Sequence, residues 1–157
     1  MEFETALQQA CYEKIVPWMQ EFFVDFLVVS EEEPLFVVNF GSAIAYTEVI
    51  PWENDEAVIL TRAYVVTNVE VTSELMQYLL QENDGLYFGR FALDQDGNIA
   101  FEHTLVGSTC DPEELRLSVI SVVKFADDYD DEIVKRWGGK RALDRLLTKE
   151  MRGSPEN

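Results

Sequence analysis

His103, Cys11 and Cys110 are the side chains in this 157-residue sequence with the most obvious capacity for covalent chemistry. Nucleophilic catalysis would need a cysteine or serine within hydrogen-bonding reach of the single histidine, and a third group to orient the ring. The surrounding residues argue otherwise. His103 alternates with Ile99, Phe101 and Leu105, an apolar strand row that predicts a satisfied, partly buried imidazole. Cys110 falls in a loop before a helix, and Cys11 falls on the apolar side of another helix, where a thiol serves as a small core residue. One histidine and two distant cysteines do not make a zinc site. The two cysteines also fit no disulfide scaffold, which points to a reduced, cytoplasmic setting.

The carboxylates say less individually, because there are 30 of them. Asp127, Asp128, Asp130, Asp131 and Glu132 surround Tyr129. On a helix, Asp127 and Asp131 are neighbours four residues apart, and such like-charge pairs cost about 0.2–0.5 kcal/mol each. A solvated face is the plain reading. A docking surface for a basic segment, or a magnesium contact, is the sharper one. Asp94-Gln-Asp-Gly-Asn98 looks like the start of a calcium loop, but the twelfth position is Leu105, where a bidentate glutamate belongs. The run therefore reads as a turn. Phosphate-binding and dinucleotide glycine patterns are absent. The sequence points to no enzyme, cofactor or metal.

Charge narrows the partners. Thirty acids against twelve bases give −18, which disfavours nucleic-acid backbone binding. The sign is uneven, with seven bases and two acids from Lys135 to Arg152 after 134 strongly acidic residues. Either a basic last helix complements the acidic body, or the acidic face awaits a basic partner. No apolar run is long enough for a membrane span, and Met-Glu-Phe-Glu is unlike a signal peptide.

The elements that must position these residues follow from periodicity. The longest is Asp111 to Gly139. Asp111-Pro-Glu-Glu supplies a cap, a first-turn proline and a capping box. Leu115, Val119, Val122, Ala126, Tyr129, Ile133 and Trp137 form one stripe, widened by Ile120, Val123 and Val134, and Gly138-Gly139 ends it. A first helix is predicted from Glu2 to Phe23, kinked or split at Pro17, with Phe3, Leu7, Ala10, Cys11, Ile15, Trp18 and Phe22 inward. Strands follow at Asp25–Ser30, Leu35–Phe40, Ala43–Ile50 (ended by Pro51) and Ala57–Val66.

The last of these alternates, with Arg62 and Tyr64 on the face opposite Ala57, Ile59 and Ala63. Arg62 in an apolar row either pairs with an acid or marks a polar contact in a groove. A second helix runs from Glu74 to Asn83, capped by Thr72 or Ser73, with Leu75, Met76, Leu79 and Leu80 on one face. Leu86–Leu93 and Ile99–Val106 make a hairpin turned at Gly97. Lys140 to Arg152 reads as a last helix carrying Ala142, Leu143, Leu146 and Leu147, and residues 153–157 as a frayed tail. The expectation is one α+β domain over 1–152: about six antiparallel strands, a meander plus a hairpin, packed against helices.

The run Leu86-Tyr-Phe-Gly-Arg-Phe-Ala-Leu-Asp-Gln-Asp-Gly-Asn98 is followed by His103-Thr-Leu-Val-Gly107, Asp111-Pro-Glu-Glu-Leu115, Ala126-Asp-Asp-Tyr-Asp-Asp131 and Gly138-Gly139. Together they resemble the YbjN-like group within the type III secretion chaperone-like superfamily. The similarity spans roughly Phe3 to Gly139 and leaves the basic segment after it outside. The resemblance implies a curved antiparallel sheet against helices, often dimeric, that binds an extended or partly unfolded polypeptide without ATP or metal. Some members are described as sensory-transduction regulators.

The leading expectation is therefore a non-enzymatic chaperone-like or adaptor protein, possible as a homodimer, with a polypeptide client. Its candidate contacts are Arg62, Tyr64, Met76, Leu79, Asp127 and Asp131. The alternative is a regulatory domain acting through dimerisation or a small ligand, which predicts a closed pocket with convergent polar groups such as His103 and Arg62. A hydrolase using His103 and Cys110 is the third reading.

Overall fold

The computed structural model describes residues 1–53 and 55–144. Helix α1 (Ala6–Phe22) starts at Thr5, whose hydroxyl accepts from the Gln8 amide at 3.0 Å. It runs through Pro17 as one helix, so the predicted split into two short helices does not occur. Pro17 lies on the exposed face, where the carbonyl it frees can be hydrated. The inward face is also rotated from the one expected. Gln8, Cys11, Tyr12, Ile15 and Met19 are buried, whereas Leu7 is exposed. Gln8 can be inside because its amide donates to the Val49 carbonyl at 2.9 Å and accepts from the Glu4 amide. Full burial of Ile15 and Met19 contributes roughly 1.5–3 kcal/mol each.

Strands β1 (Leu27–Val29), β2 (Leu35–Phe40), β3 (Ala43–Trp52) and β4 (Glu56–Thr67) form the expected antiparallel meander. β3 continues past Pro51, correcting the predicted stop. Pro51 pairs with Ala57, whose amide bonds the Glu56 carboxylate and whose carbonyl accepts from Gly107, so the ladder asks no donor of the proline. Helix α2 (Ser73–Gly85), capped by Thr72, leads to the hairpin β5 (Arg90–Leu93) and β6 (Ile99–Val106). β6 lies beside β4, giving the order β1-β2-β3-β4-β6-β5.

Helix α3 (Pro112–Trp137) has the predicted reciprocal capping box between Asp111 and Glu114. A seventh strand, β7 (Lys140–Arg141), pairs with Val66 and Thr67 at the end of β4. Lys140 and Arg141 were expected to open a helix. Gly139 instead turns the chain with φ +92°, where any Cβ would meet Val66 and the Thr67 carbonyl. Ala142 to Asp144 are helical as expected, and residues 145–152 of that predicted helix and the tail 153–157 lie outside the described residues.

Alternation along β3 and β4 decides the layers. Ala43, Ala45, Thr47 and Val49, with Ala57, Ile59, Thr61, Ala63 and Val65, are buried beneath α1 and α3. Thr47 and Thr61 satisfy each other's hydroxyls at 3.0 Å within this layer. Tyr46, Glu48, Val58, Leu60, Arg62 and Tyr64 occupy the opposite face and remain partly or largely exposed. All the stripe of α3 from Leu115 to Ile133 is inward except half-buried Tyr129, but Ile120 is exposed and does not widen it as expected. α2 likewise divides its predicted face. Leu75 and Leu79 are buried, whereas Met76 and Leu80 point outward.

Candidate functional site

The reactive residues are engaged in ways that leave them little chemistry. His103 Nδ1 lies 2.8 Å from Ser118 Oγ, and Ser118 is fully buried in α3. Burial, followed by the nearby Arg90 charge, holds the imidazole below its usual range. Burial pushes the Cys11 thiol up and the Cys110 thiol up to about 11, so neither is a ready nucleophile. Cys110 Sγ donates to the Asp111 carbonyl. Asp94 spends both carboxylate oxygens on its own turn, accepting from Asp96, the Asn98 amide and the Asn98 side chain. Among the described residues no group of three metal-ligating side chains converges.

The six residues singled out from sequence do not form one site. Arg62 bonds Glu102, its cross-strand partner on β6, and Arg90 bonds the same carboxylate from β5 at 3.0 Å. This three-residue ion cluster and Tyr64 lie on the open face of the sheet. Met76 is on the outer side of α2, while Leu79 packs into the core and is only 5% exposed. Asp131 bonds Arg141. Asp127 accepts from the Ser42 amide at 2.8 Å and hydroxyl at 2.6 Å, fastening the β2–β3 turn to α3. Gly41 has φ +59° in that turn, and a Cβ there would sit 2.6 Å from Asp127 Oδ1.

Beside Asp127 lies the feature that sequence reasoning missed. An apolar pocket of about 480 Å³ opens between the end of α1, the β1–β2 edge and α3. Phe22, Phe23, Phe26, Val38, Phe40, Ile120 and Val123 line it, with Lys124, Asp127 and Asp128 as its polar members. Phe26 and Phe40 meet edge to face at 5.9 Å, yet each keeps about half its surface exposed (47% and 51%). The signal available in the sequence was Phe26, an aromatic residue in the loop beyond the end of the amphipathic helix.

Among the described residues, the pocket adjoins a free sheet edge. The Asn39 amide donates to the Phe26 carbonyl and the Ser30 amide to the Leu35 carbonyl, each at 3.0 Å. With Leu27 opposite Val38, antiparallel alternation turns the backbone groups of Phe26, Val28 and Ser30 toward β2. Those of Leu27 and Val29 therefore face away from the sheet. The other edge is blocked at its middle. Asn83 of α2 accepts from the Phe91 amide at 2.7 Å and donates to the Phe91 carbonyl at 3.2 Å, occupying the outward groups of that residue of β5.

A family model described as T3SS (YopN, CesT) and YbjN peptide-binding chaperone 1 matches residues 15–145. The chain belongs to this family. It is thus a chaperone-like, polypeptide-binding protein, as the resemblance implied. Among curated proteins none matches it significantly. Its fold is that of a chain in the ExsC–ExsE complex, at TM-score 0.60 and 14% identity over 80% of this chain and 94% of that one. A chain of the HopA1–SchA chaperone–effector complex is similar at TM-score 0.60 and 6% identity, over 81% of this chain and 98% of that one. No described helix is long and apolar enough to cross a membrane.

Proposed function

We propose that this protein binds an extended segment of a client polypeptide, which adds as a strand outside β1 while a side chain fills the adjoining pocket. The juxtaposition of the outward Leu27 and Val29 backbone with the Phe22–Phe40 pocket carries this reading. Main-chain bonds supply affinity in such strand addition, and alternate side-chain pockets supply selectivity. The family's peptide-binding description supports it, as do two structural relatives that are themselves complexes. The engaged state of His103, Cys11 and Cys110 favours a role without catalysis. The strongly acidic chain favours a protein client over nucleic acid, and a cytoplasmic setting suits its unpaired thiols.

Val29→Pro tests strand addition, because that amide faces away from β2 and its loss costs no bond in the ladder. The variant is expected to melt within a few degrees of the wild type and to lose at least tenfold in affinity for an extended apolar peptide, read by fluorescence anisotropy. A peptide N-methylated at alternate residues should fail likewise with the unaltered protein. Wild-type affinity in both measurements would overturn the reading.

A homodimer is the second element of this proposal. Met76 and Leu80 lie on the outer face of α2, with Leu80 exposed beside Gln77, Gln81 and Asp84. A second copy would cover them. Leu80→Glu should halve the mass seen by sedimentation equilibrium, and an unchanged mass would exclude this face.

A further inference from the structure

We infer that the β1 edge selects client segments in which alternating apolar residues are flanked at both ends by lysine or arginine. The inference rests on the strand-addition reading and specifies the client's chemistry. Acids bracket the edge. At one end Glu31, Glu32 and Glu33 follow β1 directly, and all three are exposed. At the other, Asp25 precedes the strand and Asp128 belongs to the pocket. None of these five is in an ion pair among the described residues, whereas seven other pairs there engage Glu74, Glu102, Glu113, Asp131, Glu132 and Asp144.

The acidic loop is also held in position. The Glu32 and Glu33 amides donate to Ser30 Oγ at 3.3 and 3.1 Å, so three carboxylates stay together at the end of the strand. Adjacent like charges repel, and a bound cation relieves that repulsion. Lys124 offsets part of the charge on the pocket side, which makes the Glu31–Glu33 end the stronger determinant. Asp25 and Glu31 are six residues apart, about 20 Å of extended chain, so the client's basic positions should be separated by a similar span. Between them, side chains on the helix-facing side meet the pocket, and those on the other side lie against exposed Val28.

The test uses two labelled nine-residue peptides with one alternating isoleucine–threonine core, ending in two lysines or two glutamates at each terminus. At 50 mM salt the lysine-ended peptide should bind the full-length protein at least tenfold more tightly. The difference should shrink severalfold at 0.5 M salt, where the screening length falls to about 4 Å. It should shrink likewise in the variant combining Glu31→Gln, Glu32→Gln, Glu33→Gln and Asp128→Asn. Equal binding of the two peptides would overturn charge selection while leaving strand addition standing. Binding of neither would overturn both, and a glutamate preference would reverse the assignment.

Discussion

The Asn83 side chain holds both outward backbone groups of Phe91, with Oδ1 2.7 Å from the amide nitrogen and Nδ2 3.2 Å from the carbonyl oxygen. One residue of α2 thus stands in for a neighbouring strand at the middle of β5, whereas β1 has no such cover among the described residues. An open edge is a template for unintended pairing. Asn83→Ala should leave a partly buried amide and carbonyl without partners and destabilise the protein by about 1–3 kcal/mol. It should also raise self-association, measured by light scattering at constant protein concentration. Unchanged melting and no added association would show that the contact is incidental.

The cluster of Asp127, Ser42 and Asp130 makes stability depend on pH. Ser42 Oγ is 2.6 Å from Asp127 and 2.5 Å from Asp130, but a hydroxyl has one proton to donate. Burial raises the Asp130 carboxyl above its usual 3.8, which suits it to keep its proton and donate to Ser42. The folded state then binds more protons than the unfolded state between 3.8 and the raised value. Stability contributed by protonated Asp130 is present below that window and is lost as pH rises through it. Asp130→Asn retains a donor without the charge, so its stability relative to wild type should increase between pH 4 and pH 7 in denaturant titrations. A constant difference across that range would contradict the assignment.

What the sequence made legible was mostly local. The Asp111–Glu114 box and the Gly97 turn depend on partners within a few residues, so their residue types reveal them. The side of a helix that turns inward is a long-range matter. Gln8 displaced Leu7 from the core because its partner is the carbonyl of Val49, and α2 divided its apolar face because only Leu75 and Leu79 reach the core. Lys140 and Arg141 read as helix, yet the end of β4 supplied a strand partner. The pocket was hidden for a related reason. Ile120 and Phe40 have the composition of core residues, and periodicity does not reveal whether the chain fills the space they border.

Glu102 is buried between two arginines that are not. The Arg62 and Arg90 side chains remain 37% and 60% exposed, so water screens both and each can be hydrated without the carboxylate. Glu102→Gln should therefore cost only about 1 kcal/mol, corresponding to a loss of roughly 2–4 °C in melting temperature for a chain of this size. That difference should narrow with added salt. A loss of 10 °C or more in a thermal scan would mean that the cluster organises the open face of the sheet far more strongly than its exposure suggests.

Ile120 separates the pocket's role from the core's. It lies on α3 among buried neighbours, yet it is 39% exposed and lines the cavity beside Phe40. Ile120→Lys keeps good helix propensity and allows the ammonium group to reach solvent, so the stability change should stay below about 1 kcal/mol. The same side chain would place its aliphatic stem and charged tip across the site of the client's anchor residue. It would also add a positive charge beside Lys124. Affinity for the lysine-ended peptide should fall at least tenfold, while Leu117→Lys, an exposed change on the same helix but outside the pocket, should have little effect. Equal affinities for the two variants in an anisotropy titration would remove the pocket from the client site and leave the β1 backbone as the sole determinant.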